Sequence, residues 1–446
     1  GVMQSAQMGN EQLLQERIRL GQPVDFTPFS RHIDYPFQQI THHNVYFKAF
    51  FDHEKIGHFA FQSTFQQDNR RENRIRRLNH SDIPTVSLHL NSLQNSLVWN
   101  KGYQHWKSEA GAQLLITDNT NERGTGVVPI IPNYTEVAFG LYALQKYTAD
   151  RWGMEAGVRF DGQQTKADGY DWTGRRYGGK RDFANFTYSL GGHYHINKQL
   201  KLTSHFGVAW RAPHVYELYS NGNELSSGIF VKGDSTLLSE QSYKWISSLK
   251  YTSKYFDVQL DGYLQWINNY IFDQPTGRNI TVVSGAYPVF QYRQTRAFFQ
   301  GVDLDAHVRP VSSLDYHLVT AMIWAREMPS HDYLPYIPSF RLTHSLTWSL
   351  PFFKAFSPKL GLTHRFVAKQ TRFNPATDLI ANSPDAYHLV GFDVSFSVPM
   401  REGQSLRIGL MGDNILNREY KEYTNRSRYY AHDMGRDVRC MITWNF

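Results

Sequence analysis

The chain has 446 residues, with 47 Lys and Arg against 40 Asp and Glu, a formal charge of +7, and 41% apolar residues. Its mean hydropathy is −0.51, and no uncharged apolar run approaches the ~20 residues a spanning helix needs, which excludes a bundle of transmembrane helices. Aromatic residues still reach 15%, too many for a disordered chain and unusual for a soluble enzyme, and a single Cys excludes a disulfide framework or a Cys-built metal centre.

In chain order, residues 1–42 carry only a weak helical signal at Glu11–Leu20. From residue 43 the pattern becomes apolar–polar alternation. Seventeen strands are predicted, at 43–51, 57–67, 85–98, 105–116, 134–147, 151–161, 184–195, 199–210, 240–251, 254–269, 295–308, 313–325, 340–350, 359–369, 386–398, 404–413 and 435–446. Between Tyr255 and Trp266, one face reads Phe256, Val258, Leu260, Leu264 and Trp266, against Asp257, Gln259, Asp261 and Gln265. Between Phe340 and Leu350, Leu342, Leu346 and Trp348 oppose Arg341, Thr343, Ser345 and Thr347. The last strand sets Val438, Cys440, Ile442, Trp444 and Phe446 against Asp437, Arg439, Met441, Thr443 and Asn445. Slipping it by one residue would push Arg439 into hydrocarbon, at a cost of roughly 2–4 kcal/mol.

The connectors alternate in length. Thr148–Asp150, Asn197-Lys198, Thr252-Ser253 and Pro399–Gly403 are short, whereas 162–183, 211–239, 270–294 and 414–434 are long. Short turns at one rim and long loops at the other are the layout of an outer-membrane barrel. Trp99, Trp106, Trp152, Trp210, Trp266, Trp324, Trp348 and Trp444 lie within or beside strand ends, where interfacial girdles are expected. The expected fold is therefore all-β, a transmembrane antiparallel β-barrel.

No metalloprotease, nucleophile-elbow, P-loop or dinucleotide motif is present, so no catalytic residue is assigned, and the chain reads as a non-enzyme with no cofactor. Asp303, Asp305 and His307 alternate on one strand face and carry donors suited to a divalent cation, but a polar wall is the simpler reading and no firm metal site is assigned. His193 and His195 are read in the same way, and Cys440 as a small hydrophobe. The basic run Asp68–Arg77 suits lipopolysaccharide phosphates or anionic ligands at an outer rim better than nucleic acid. Recognition is expected on the long loops. The first set is Tyr170, Trp172, Arg175, Arg176 and Tyr177, and the second is His214, Tyr216, Glu217 and Tyr219. The third is Tyr423, Arg426, Arg428, Tyr429, Tyr430 and His432. Rings beside guanidinium groups suit planar, anionic ligands such as ferric chelates.

Several boxes then fall in a familiar order. Trp210-Arg-Ala-Pro213 with Glu217-Leu-Tyr-Ser-Asn-Gly222 resembles the FRAP…ELYxxG box of the TonB-dependent outer-membrane receptors, and Gly233–Glu240 is similar to their following NPNL box. Asp413–Tyr420 resembles their N-L-F-N-x-x-Y box, and Gly435-Arg436 with the terminal Phe446 resembles their closing strand. The resemblance implies a 22-stranded barrel, of which seventeen strands fall in this chain, with Trp444 and Phe446 as an assembly signal. It also implies a plug domain. None is visible in this sequence, so an N-terminal plug-containing part of the receptor is expected as a separate partner. Residues 1–42 then form an extracellular segment at a cut or split point, and 43–446 the C-terminal part of the barrel.

The implied setting is the outer membrane of a Gram-negative bacterium. The implied activity is uptake of a scarce nutrient, driven by a TonB-type energy transducer acting through the plug. In haem- and zinc-importing relatives a His commonly follows the ELYxxG box, where this chain has Asn223 and Glu224; His214 is the one His between the boxes. A ferric siderophore or other metal chelate is the favoured ligand, with haem or zinc uptake, or a passive pore, as alternatives.

Overall fold

The computed structural model describes residues 9–23, 32, 35–76, 79–171, 173–224, 227–350 and 356–446. The weak helical signal is realised as α1, Glu11–Leu20. Asn10 caps it by accepting from the Leu13 amide at 2.9 Å, and Gly21 ends it at φ 61°, a left-handed conformation that favours glycine.

Nineteen strands follow. They are β1 Phe37–His53, β2 Gly57–Asn73, β3 Val86–Tyr103, β4 Trp106–Asn121, β5 Asn133–Thr148, β6 Trp152–Tyr170, β7 Arg176–His195 and β8 Leu200–Arg211. After a short helix α2, Val215–Tyr219, come β9 Asn221–Glu224, β10 Ile229–Lys232, β11 Glu240–Thr252, β12 Phe256–Val282, β13 Gly285–Val311 and β14 Leu314–Glu327. The last five are β15 Arg341–Ser349, β16 Lys359–Val367, β17 Tyr387–Pro399, β18 Ser405–Asp413 and β19 Asp437–Asn445.

Each long strand pairs antiparallel with the next, and β8 passes over the two short strands to pair with β11. The result is one 19-stranded sheet. It is not closed: among the described residues no ladder joins β1 to β19. All seventeen predicted strands are present.

Two differences concern the connectors. The segments 162–183 and 270–294, expected as long loops, are largely strand. β6 runs to Tyr170 and β7 starts at Arg176, and β12 and β13 are 27 residues each. A bilayer needs only about 9–11 tilted residues per strand, so these hairpins continue well past it. Beyond hydrocarbon both faces meet water, so apolar alternation lapses while the backbone ladder persists. The second difference is the pair β9–β10 inside 211–239; β10 also pairs in parallel with β13.

The faces separate as the alternation required. Leu141 lies opposite Phe160, and Phe160 opposite Phe186, all more than 40% exposed on an apolar face. On the opposite face Arg159 forms an ion pair with Asp161 and donates to Gln113 at 3.0 Å. At the short-turn end Tyr147 sits between Trp106 and Trp152, with centroids 4.8 and 5.0 Å away, as an aromatic girdle. In β19, Trp444, Ile442 and Cys440 oppose Leu406, Ile408 and Leu410, while Arg439 pairs with Asp413 and Asp437 on the other face.

The densest packing lies at the long-connector end. Leu14 and Ile18 of α1 are buried among Ile229 and Val231 of β10, Ala286 and Phe290 of β13, and Tyr429 and Tyr430 of the last loop. Isolated ten-residue helices are marginal in water, so α1 owes its order to this contact.

Candidate ligand-recognition site

Three motif segments between residues 211 and 240 meet at Arg211. Its guanidinium donates to Glu217 through two nitrogens at 2.7 and 2.9 Å, and to Glu240 at 2.6 Å. Glu217 also accepts from the backbone N–H of His214 at 2.8 Å, completing the capping box of α2. The order and spacing of the sequence boxes thus have a physical cause: one bidentate Arg fixes the strand end, the following helix and the start of β11. Gly233 lies against the backbone of Leu218 and Tyr219, where an added Cβ would come within 2.7 Å of backbone atoms. That close approach requires glycine.

The last loop supplies the second framework. Arg426 forms an ion pair with Asp273 on β12 and lies over the rings of Tyr336 and Phe290 at 4.7 and 5.1 Å. Arg428 pairs with Asp378 and stacks on Tyr423 and Tyr429. Burial opposes its charge, yet Tyr429 and Asp378 hold its pKa above the ordinary Arg value. Tyr429 donates to Asp378 at 2.7 Å and lies 2.9 Å from the Tyr336 hydroxyl. Burial raises the pKa of Tyr429 far beyond the usual phenol range, so it stays neutral.

The expected loop residues divide into two groups. Tyr170, Arg175, Arg176, His214 and His432 are exposed. Arg176 donates to both oxygens of Asp168, at 2.6 and 2.9 Å. Asp171, which accepts from Thr173 and from the backbone N–H of Arg175, holds the turn and has its pKa lowered by the Thr173 hydrogen bond. His214 spends Nδ1 on the Tyr216 amide at 3.1 Å. Its Nε2 is therefore the nitrogen left for a ligand.

The other group is internal. Arg428, Tyr429 and Tyr430 are at most 1% exposed and face protein. Tyr219 is buried beside half-buried Tyr177, in a cluster with Tyr134, Val215, Leu218 and Ile271. Glu217 is held by Arg211. Trp172 lies outside the described residues, as does Arg77 of the basic run. Within that run, Arg70 pairs with Glu72, and Arg76 donates to the carbonyl oxygens of Ile83 and Thr125.

Tyr216 differs from both groups. Its ring packs edge-on against Tyr292 at 6.2 Å, and among the described residues its buried hydroxyl has no hydrogen-bond partner. Burial, then nearby Glu224, raises its pKa well above that of a free phenol, leaving an unspent O–H donor. Asp273, Asp378, Tyr292 and Tyr336 were not anticipated. Only the third dimension brings them to the loop arginines.

Residues 9–415 match the family described as TonB dependent receptor-like, beta-barrel, and the chain belongs to that family. The family and its structural neighbours are receptors and transporters, not enzymes. Among individual proteins, the chain is 22% identical over 356 residues to the TonB-dependent heme receptor A of Haemophilus influenzae (strain 86-028NP), a match covering 71% of this chain and 46% of that protein. The chain therefore spans under half the length of this curated relative.

Solved structures share the fold. The copper transporter OprC aligns with a TM-score of 0.71 at 12% identity, over 91% of this chain and 65% of its own. The FrpB iron transporter from Neisseria meningitidis (F3-3 variant) aligns at 0.66 and 13%, over 91% and 63%. The ferric yersiniabactin uptake receptor FyuA from Yersinia pestis aligns at 0.61 and 14%, over 90% and 61%.

Proposed function

We propose that this chain forms most of the barrel of an outer-membrane receptor that imports a ferric siderophore or similar metal chelate, energised by a TonB-type transducer acting through a plug. The observation that carries the reading is the unspent Tyr216 hydroxyl, held in a loop layer whose own arginines are already satisfied by Asp273 and Asp378. A framework neutralised from within leaves the exposed Tyr170, Arg175, Arg176, His214 and His432 to meet an anionic, ring-bearing ligand. Arg428, Tyr429, Tyr430, Glu217, Tyr177 and Tyr219 hold that surface in place.

The sheet supports this setting. The apolar face suits a bilayer, and the outer rim faces lipopolysaccharide. Unpaired strand edges are not tolerated in hydrocarbon, so β1 and β19 each take a further strand. The plug-bearing part of the receptor supplies those strands together with the plug.

Haem uptake is the second reading, favoured by the similarity to a protein named as a haem receptor. The test is growth of an iron-starved host that has the intact receptor as its one uptake route, supplied with ferric siderophores or with hemin. Growth on a ferric siderophore that disappears without the energy transducer supports the proposal. Growth on hemin alone selects the second reading, and uptake that persists without the transducer reduces the protein to a passive pore.

A further inference from the structure

On the polar face, His307 of β13 and His317 of β14 occupy directly opposed register positions. Their rings stack at 3.9 Å with only 7° between planes. Asp305, two residues before His307 on the same face, brings Oδ1 within 3.0 Å of His317 Nε2 and 4.0 Å of His307 Nε2. One donor atom from each of the three lies within 4.8 Å of the others. A tetrahedral ion with bonds of about 2.0–2.2 Å sets its ligand atoms roughly 3.3–3.6 Å apart, between the two observed spacings.

A second layer supports this set. His307 Nδ1 lies 2.8 Å from Asp315, and a carboxylate can only accept, so Nδ1 carries the proton and Nε2 keeps its lone pair facing Asp305. Arg309 donates to the other oxygen of Asp315 at 2.8 Å and fixes the carboxylate. Such carboxylate–imidazole pairs orient and strengthen metal-ligating histidines. All three ligands are partly exposed, which leaves an open coordination position toward the polar side.

We infer that Asp305, His307 and His317 form a site for a borderline divalent cation, of the Zn²⁺, Ni²⁺, Co²⁺ or Cu²⁺ class, on the polar wall near the short β13–β14 turn. Two imidazoles and one carboxylate favour these ions over Mg²⁺ or Ca²⁺, which prefer all-oxygen shells. Without the cation, His317 Nε2–H donates to Asp305. Cation binding needs that nitrogen's lone pair, so a neutral His317 shifts its proton to Nδ1, with no net proton release. The site is independent of the proposed cargo and lies away from the loops that would recognise it.

A competing histidine row crosses the apolar face. His344 Nε2 lies 2.7 Å from His364 Nδ1, and His364 Nε2 lies 2.9 Å from His388 Nδ1. The test therefore uses the intact protein in detergent, stripped with a chelator and titrated with CoCl₂ and ZnCl₂ alone, with heat and the Co²⁺ visible spectrum as readouts. One site per chain is expected, with a tetrahedral-type Co²⁺ spectrum and no competition from Mg²⁺. His307→Gln with His317→Gln removes it, Asp305→Asn weakens it, and Asp315→Asn lowers affinity about 10–100-fold. Triple replacement of His344, His364 and His388 by Gln leaves it intact. Heat-modifiable gel migration confirms that each variant remains folded. Undiminished binding in the folded His307/His317 double variant, or loss of the site in the triple variant, overturns the assignment.

Discussion

Arg428 and Asp378, fifty residues apart, form an ion pair with side chains only 1% and 2% exposed. The pair joins the loop after β16 to the loop after β18, and Tyr429 donates to the same carboxylate. Deleting one partner strands a buried charge, which costs roughly 3–5 kcal/mol. Asp378→Asn and Arg428→Met should each open both loops to hydrogen exchange and proteolysis, while the strands stay protected. Removing both charges together should cost less than the two single changes summed. Single variants as protected as the native protein would show that the pair does not hold this layer.

The helix α1 gives a second test. Leu14 is fully buried against β10, β13 and Tyr429. Leu14→Ala should weaken docking by about 2–5 kcal/mol. Leu14→Asp should release the helix altogether. Exchange protection of residues 11–20 should then collapse, followed by that of Ile229–Lys232, with the long strands unaffected. Retained protection of α1 in Leu14→Asp would contradict its dependence on the loop layer.

How much of this was legible in the sequence differs by feature. The seventeen strands were readable because a bilayer on one side and a polar interior on the other impose period-2 alternation, as in Val438–Trp444. The outward extension of β12 and β13 was not, because that constraint ends at the membrane surface. In the candidate site, Tyr429 and Arg428 look the same in sequence whether they bind a ligand or each other's neighbours. Their partner Asp378 carries no local signal. His317 carries no metal-ligand signal in the sequence, because it joins Asp305 and His307 only through strand register.

Arg211 provides a third prediction. It bridges Glu217 and Glu240, whose side chains are 14% and 13% exposed. Arg211→Lys keeps the charge but loses the planar fork, so it should not restore the clamp. Each lost charge-assisted bond is worth about 1.5–3 kcal/mol. Arg211→Lys and Glu217→Gln should both loosen α2 and lower ligand affinity through Tyr216 and His214, with unchanged barrel assembly. Native affinity and native exchange of residues 214–220 in Arg211→Lys would remove the clamp from the account.

A fourth prediction concerns ligand contact. Tyr216→Phe deletes only the hydroxyl that lacks a partner, so folding should be unchanged or slightly improved while affinity for a ferric chelate falls. The loss expected for one unmade hydrogen bond is about 0.5–1.5 kcal/mol, or roughly 2- to 12-fold in Kd. Tyr170→Ala and Arg176→Gln, at the exposed rim, should also weaken binding. Titration of the intact receptor with chelate, followed by Trp fluorescence, measures both effects. Equal affinity in all three variants would place the ligand elsewhere.

The closing strand gives the last prediction. Trp444 and Phe446, with ring centroids 5.7 Å apart and planes tilted by 59°, lie on the face of β19 that carries Ile442, and they are 57% and 96% exposed. β18 pairs with β19 on one side, and among the described residues no strand pairs with its other side. These rings project from the apolar face, so they are the groups that meet lipid during insertion. Deleting Phe446 removes the outermost ring without touching any ladder bond of Asp437–Asn445. Insertion should fall sharply while any inserted protein keeps native thermal stability. Trp444→Ala should do both, lowering yield and, by the general cost of removing a large aromatic, stability by up to about 3–5 kcal/mol. The readouts are the fraction of folded, heat-modifiable protein in membranes and its melting temperature in detergent. A Phe446 deletion that inserts normally would show that β19 is recognised through its backbone edge and not through its terminal ring.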